Sequence, residues 1–105
     1  MDFGARKIEA SDLPKLDSFE RSKIESALNG FFDRMQGLLK KELLLHAHFK
    51  LHEADGKRKK HSVHLKLSVP GKTVVASESG WDTVSVLQKA LKVLERETIE
   101  SVKRA

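Results

Sequence analysis

Two stretches of the chain carry apolar residues at the spacing of an amphipathic helix. In the first stretch the apolar side chains alternate between steps of four and three, at Ile24, Leu28, Phe31, Met35 and Leu38. In the second the same steps connect Val84, Leu87, Leu91, Leu94 and Thr98. This period places one side of a helix against a core. Because Asp17, Ser18 and Asp82 are favourable N-cap residues, we predict helices that begin near residues 17–18 and 82.

Between these helices the period changes to two, which is typical of half-buried strands. In the first predicted strand the apolar side is formed by Leu43, Leu45, Ala47, Phe49 and Leu51. In the second it is formed by Val63, Leu65, Leu67 and Val69. The third runs from Lys72 to Ser79, with Val74 and Ala76 facing the core and Thr73, Val75 and Ser77 facing outward.

The connection between the first two predicted strands, residues 53–60, is constrained by register. A two-residue turn at Asp55-Gly56 would place Phe49 opposite Ser62 and turn one apolar set to the wrong face. The connection therefore needs a bulge or an odd number of residues. We expect a longer, mobile loop that carries four basic side chains into solvent: Lys57, Arg58, Lys59 and Lys60.

These elements predict a single α+β domain over residues 1–105. Its two helices pack on one face of a three- or four-stranded, mostly antiparallel sheet, because this arrangement buries all of the apolar faces together. Residues 1–17 are a weakly patterned lead-in, in which Phe3 and Ile8 are the candidates for a short additional strand. Pro70-Gly71 marks a tight turn between the second and third strands of the main pattern.

Composition narrows the function classes. The chain has 105 residues, with 20 Lys and Arg against 15 Asp and Glu and a net charge of +5, which favours a polyanionic partner. It has no cysteine, so disulfides, thiolate metal sites and cysteine nucleophiles are excluded. No Ser/His/Asp set, paired carboxylates or phosphate-binding loop is found. We therefore expect no enzyme activity, no cofactor and no small-molecule substrate.

The sequence shows no membrane or export signal. Its longest aliphatic run, Leu43–Leu45, is far shorter than the roughly 20 residues that span a bilayer. Met1 to Ala10 lacks the apolar region of a secretory signal. We expect a cytoplasmic monomer that does not bind membranes.

Positive charges follow a second stripe on the predicted helices. The last helix carries Lys89, Lys92, Arg96 and Lys103 on the face opposite its apolar side, and the first helix carries Lys23, Arg34 and Lys41 along its flank. If the two helices lie side by side, both rows contribute to one cationic surface suited to phosphates. The same stripes also fit a solvated surface with local Glu–Lys pairs. We expect the basic segment 57–60 to act as a cationic tether or a solubilising loop.

The outward face of the sheet is rich in histidine. His46, His48, Lys50, His52, His64 and Lys66 share it. A register with His48 opposite His64 brings potential metal ligands together, but no carboxylate is evident nearby and the lysines repel a cation. We favour a hydrogen-bonding face that gains charge below about pH 6.5 and then binds RNA or protein more tightly. We expect Trp81, at the strand-to-helix corner, to pack over the helix start rather than to stack on a base.

One part of the sequence resembles the ribosome hibernation-promoting factors, a family that includes the ribosome-associated inhibitors. The pattern V-x-G at Val69–Gly71 is followed by A-S-x-x-G-x-D at Ala76–Asp82 and by L-x-R at Leu94–Arg96. Upstream, Phe32-Asp33-Arg34 and the aliphatic strand that follows also resemble the first helix and second strand of the family. The resemblance covers roughly residues 17–97, and it implies a β-α-β-β-β-α fold. Two departures are the unclear first strand and the acidic residues of the last helix, Glu95, Glu97 and Glu100.

The resemblance implies that the protein binds rRNA of the small ribosomal subunit in the mRNA and tRNA channel and blocks initiation in idle ribosomes. We expect the short family form, without the dimerising domain of the long forms. A double-stranded RNA-binding module, which shares the α-β-β-β-α order, is the alternative; its usual lysine cluster at the start of the last helix is replaced by residues 80–84, which are acidic and apolar. A third reading is a protein-interaction or metal-responsive domain that uses the histidine face.

Overall fold

The protein is described by a computed structural model that covers residues 1–56 and 58–103. In chain order its elements are β1 (Ile8–Ser11), α1 (Ser18–Leu39), β2 (Leu44–Asp55), β3 (Arg58–Val69), β4 (Lys72–Gly80) and α2 (Thr83–Lys103). The strands form one sheet in the order β1-β2-β3-β4, in which β1 is parallel to β2 and the other pairs are antiparallel. The expected α+β fold is confirmed, and of the three or four strands expected all four are present.

Both helices begin at the predicted aspartates. Asp17 Oδ1 accepts the backbone N–H of Glu20 at 2.7 Å, and the Glu20 side chain accepts the N–H of Asp17 at 3.3 Å. Asp82 Oδ2 accepts both the backbone N–H and the hydroxyl of Ser85, at 2.9 and 2.7 Å. These bonds satisfy amides that have no partner inside the helix. Because they stabilise the charged carboxylate, the hydrogen bonds from Ser85 lower the pKa of Asp82.

The core lies between the two helices and one face of the sheet. Nearly all the predicted inward positions are buried, including Phe31, Leu45 and Leu94. Val75 on the opposite side of β4 is 65% exposed, as the strand pattern predicts. Leu38 was expected in the core but is 57% exposed. It lies in the last turn of α1, where it borders an open cleft together with Val102 at the end of α2. Both helix ends therefore extend past the buried layer.

The β2–β3 hairpin has the bulge that the register required. Phe49 pairs with Val63, and the register shifts between Glu53 and Asp55. The expectation of a long loop is wrong, because the strands continue to Asp55 and Arg58. Leu51 was expected to be buried but is 44% exposed, since the pairing with β1 ends at His48 and the pairing with β4 ends at His61. The end of the hairpin is therefore a two-stranded arm.

The lead-in has more structure than its pattern indicated. The four residues of β1 pair in parallel with β2, from Ile8 opposite Leu45 to Ser11 opposite His48. Before β1, the guanidinium of Arg6 donates two hydrogen bonds of 2.8 Å to the carboxylate of Asp33 on α1. This paired arrangement lowers the pKa of Asp33 and raises that of Arg6. The segment is thereby tied to both layers of the domain.

Candidate nucleic-acid interface

The two helices lie side by side on the sheet and run in the same direction. Lys23 in the second turn of α1 borders the same groove as Gln88 in the second turn of α2. Further along, Arg34 of α1 reaches Glu95 of α2. The surface groove between the helices is floored by small and apolar side chains, chiefly Ser26, Ala27 and Leu91. The condition that the sequence analysis set for one cationic surface, two helices side by side, is therefore met.

Three of the predicted cationic residues lie along this groove. Lys23 borders one end, and Arg34 and Lys92 border the central part from opposite helices. Arg34 is not free there, because its Nε donates to Glu95 Oε1 at 3.2 Å. The side chain of Arg34 is nevertheless 60% exposed, so solvent and other ligands still reach the guanidinium. We call the set Lys23, Arg34 and Lys92 the groove cations.

The other predicted residues of α2 extend this positive surface. Lys89, Arg96 and Lys103 are all exposed on the side of the helix that faces away from the sheet. Arg96 Nη2 also lies 3.7 Å from Glu97 Oε1, which is a long and exposed ion pair. Lys41 is exposed just beyond the end of α1 and borders the cleft near Val102 rather than the groove. It is separate from the groove cations.

The basic hairpin residues form a separate group. Arg58, Lys59 and Lys60 are exposed in the first residues of β3, on the two-stranded arm. Lys57 lies outside the described residues. The expected loop is therefore replaced by a strand that fixes the direction of these side chains.

The acidic residues of α2 are divided between two sides of the helix. Glu97 and Glu100 border the groove between α2 and β4, together with Val93 and Val75. Glu95 alone of the three borders the groove between the helices. Two of these three acidic residues therefore lie away from the groove cations.

The histidine side of the sheet is a hydrogen-bonded network. His48 lies opposite His64, with ring centroids 6.3 Å apart. His64 Nδ1 is 2.9 Å from Ser77 Oγ, and His48 Nε2 is 2.7 Å from Asp12 Oδ2. The sequence analysis missed this carboxylate, because Asp12 approaches only after the parallel pairing of β1. Tighter binding by this face at low pH stays a prediction.

A metal centre has no support in the described part of the chain. No group of three or more His, Cys, Asp or Glu side chains there is arranged to hold an ion. The His48–His64 pair provides two imidazoles, and Lys50 and Lys66 share its face.

Each of two exposed aromatic rings has a positively charged side chain over its face. The Cζ atom of Arg58 lies 4.1 Å from the ring centroid of Trp81, which is 48% exposed. The Nζ atom of Lys23 lies 4.7 Å from the ring centroid of Phe19, which is 66% exposed. One face of the Trp81 ring is in contact with an arginine of the hairpin arm. The expected packing of Trp81 over the helix start stays a prediction. Phe19 was not singled out by sequence, because an exposed aromatic at one helical position leaves no periodic signal.

Solved structures similar to this chain include two proteins of the family that the sequence resembles. One is the N-terminal domain of Protein Y from Thermus thermophilus, with a TM-score of 0.60 and 22% identity over 86% of this chain and 89% of that one. This protein has the Protein Y fold. The other is a ribosomal subunit interface protein from Coxiella burnetii, with a TM-score of 0.60 and 18% identity over 94% of this chain and 97% of that one.

The Protein Y fold confirms the architecture implied by the sequence resemblance. No protein-family model matches the sequence, and no curated protein matches it either. None of the helices within the described ranges is long and apolar enough to cross a membrane.

Proposed function

We propose that this protein binds the small ribosomal subunit through rRNA and inhibits translation by occupying the mRNA and tRNA channel. The observation that carries the proposal is the groove between two parallel helices, with Lys23, Arg34 and Lys92 along it, in a domain with the Protein Y fold. One similar structure is that of a ribosomal subunit interface protein, which supports a ribosomal partner. The protein acts by occupancy, without chemistry, in the cytoplasm.

Electrostatics supports an RNA partner. Lys89, Lys92 and Arg96 project from α2 on the side away from the sheet, and the acids Glu97 and Glu100 border a different groove. Exposed cations of this kind contact phosphates without reading sequence. Specificity then comes from shape, because folded RNA is recognised largely through its backbone geometry. A surface of two adjacent helices supported by a four-stranded sheet is suited to such recognition.

Co-sedimentation with purified small subunits tests the proposal. The parent protein is expected to migrate with the subunit at low salt and to dissociate at high salt. Changing Lys89, Lys92 and Arg96 to Glu is expected to weaken binding at least about tenfold, because each change replaces an attraction to phosphate with a repulsion. All three side chains are exposed, so the fold is expected to persist.

The matched control changes Lys7, Lys15 and Lys66 to Glu, and both triple variants are measured above about pH 7.5, outside the range in which the histidine face is predicted to bind RNA. These lysines are also exposed, and the total change in charge is identical, but they lie away from the helical surface. The control is expected to retain most of the affinity. Equal loss in both triple variants would show that net charge, and not this surface, determines binding.

Competition with free RNA separates the proposal from a double-stranded RNA-binding module. That module has the order α-β-β-β-α, whereas here β1 precedes α1 and lies parallel to β2. Duplex RNA added in excess is expected to leave the subunit-bound fraction unchanged. Displacement by duplex RNA would favour the module instead.

A further inference from the structure

The two cation–aromatic pairs lie at the same end of the domain. Trp81 directly precedes Asp82, whose pKa is lowered chiefly by the Ser85 hydrogen bonds and further by the charges of His61 and Lys23. Lys23 is the cation above the Phe19 ring. Lys23 also borders the same groove as Gln88 in the second turn of α2, so its side chain lies near the start of that helix. This places the Phe19 pair and the Trp81 pair near the N-terminal ends of the two parallel helices.

The groove between the helices leads to this end. Its central part, with Arg34 and Lys92, continues through Ser26 and Ala27 to Phe19 and Lys23. A polyanion that follows the groove cations would thus reach the Phe19 ring after it passes Lys23.

The position of Arg58 follows from strand pairing. His61 of β3 is opposite Gly80 of β4, so residues just before His61 lie beside residues just after Gly80. Arg58 pairs with Asp55 at the turn end of the hairpin arm, and its guanidinium carbon lies 4.1 Å from the centroid of the Trp81 ring. An indole half exposed under a guanidinium keeps an accessible π-surface beside a positive charge.

Single exposed apolar side chains are ordinary on protein surfaces. The arrangement here differs, because both rings carry a cation. Phe19 borders the end of the cationic groove, and Trp81 lies two residues before α2, next to its N-cap residue Asp82. The other phenylalanines are buried or half-buried, at positions 3, 31, 32 and 49. Exposed aromatics beside cations are the elements with which proteins stack unpaired bases, since every base has a π-face and a nearby phosphate.

We propose that Phe19 and Trp81 stack on unpaired bases of the RNA strand that enters the groove, with Lys23 and Arg58 contacting the adjoining phosphates. The inference rests on the proposed function, because it identifies single-stranded RNA as the part of the target held at this end. It adds a base-stacking site to a surface that otherwise binds backbone. The same RNA strand is then bound through its phosphates along the groove and through its bases at the end of the groove.

Trp81 is the single tryptophan of the chain, so its fluorescence reports on this site alone. The test titrates the 105-residue protein with single-stranded oligoadenylate of about ten nucleotides, a length within the usual site size. A saturable quench of the emission is expected. Duplex RNA of equal length is expected to quench much less, because its bases are already stacked.

Substitutions distinguish stacking from general attraction. Trp81→Leu and Phe19→Leu are each expected to weaken binding of a dye-labelled oligoadenylate at least about fivefold, as measured by anisotropy. The control is Val75→Leu, another exposed apolar residue, which is expected to leave affinity unchanged. Far-ultraviolet circular dichroism verifies the fold of each variant. Unquenched emission, or leucine variants that bind like the parent, would overturn the inference.

The two proposals fail in different ways. If the parent protein co-sediments with small subunits but Trp81 emission does not respond to oligoadenylate, only the stacking inference is wrong. If the parent protein does not co-sediment, the proposed function is wrong, and a saturable quench would then identify a single-strand-binding protein with another target. Equal quenching by duplex and single-stranded RNA would contradict stacking, because it indicates backbone contact alone.

Discussion

Arg34 of α1 and Glu95 of α2 form an ion pair across the groove between the helices, with Nε and Oε1 3.2 Å apart. The pair joins the two elements that carry the positive surface. It also places the groove's carboxylate directly against one of the groove cations. Because both side chains are substantially exposed, the pair contributes little stability, about 0–1 kcal/mol. The main effect of the pair is therefore electrostatic: the carboxylate of Glu95 makes the potential within the groove less positive.

Replacing Glu95 with Gln is expected to strengthen binding to the small subunit. The change removes a negative charge from the groove and releases Arg34 for phosphate, which steepens the salt dependence by up to about 0.9 in the slope of log K against log salt. Measurement of affinity at several salt concentrations tests this. Glu9→Gln, the same charge change on β1, is the control and is expected to have a small effect. Weaker binding by Glu95→Gln would indicate that the ion pair positions Arg34 for its target.

The N-cap of α2 is expected to make stability depend on pH. Asp82→Ala should cost about 1 kcal/mol at neutral pH, because the amide and hydroxyl of Ser85 lose their acceptor. The hydrogen bonds lower the pKa of Asp82, so its contribution is complete above the ordinary value of 3.8 and is lost as pH falls through the lower folded-state pKa. Urea unfolding of both proteins over a pH series measures this.

Asp82→Asn is the matched control for that experiment. Asparagine also caps helices but carries no charge, so most of the stability is expected to remain at neutral pH. A difference between Asp82→Ala and the parent that stays constant down to the most acidic point would contradict the role assigned to the carboxylate.

Truncation of a side chain is expected to lower stability much more on the inner face of the sheet than on the outer face. Leu67→Ala removes a fully buried side chain of β3 and should cost about 2–5 kcal/mol. Val75→Ala, on the outer face of β4 and 65% exposed, should change stability by no more than about 0.5 kcal/mol. Chemical denaturation of the two variants gives the comparison. Similar losses at both positions would mean that the outer face is covered as well.

The Arg6–Asp33 pair is expected to hold the lead-in against α1. Arg6→Gln removes the two 2.8 Å hydrogen bonds that connect the segment before β1 to the helix. Amide hydrogen exchange should become faster in Ile8–Ser11, whereas the central amides of β3 should exchange as before. Unchanged exchange in β1 would show that its pairing with β2 suffices to hold the segment.

The sequence predicted those parts of the fold that are governed by local periodicity. Residue spacing predicted that the helices start at Asp17 and Asp82. Strand register predicted the bulge that lets Phe49 pair with Val63. The exposure of Leu38 and Leu51 could not be predicted from spacing, because periodicity shows which side of an element is apolar but not how far the opposite layer extends. β1 was obscure since four residues are too few to establish an alternation.

The candidate site was predicted less completely than the fold. The groove cations were found because Lys23, Arg34 and Lys92 follow helical spacing. The Arg58–Trp81 contact depends on the pairing of His61 with Gly80, which fixes where the hairpin arm meets the strand-to-helix corner. Such contacts between distant segments leave no signal in local sequence. The same holds for Asp12, which reaches His48 only through the parallel β1 pairing.

The salt dependence of affinity for purified small ribosomal subunits tests the central claim most directly. For the parent protein, log K is expected to fall linearly as log salt rises between about 50 and 200 mM. Neutralising Lys89, Lys92 and Arg96 with Gln should make that slope shallower by up to about 0.9 for each lost phosphate contact. An affinity that is insensitive to salt, or a slope unchanged in the neutralised variant, would contradict the claim that the helical surface binds ribosomal RNA.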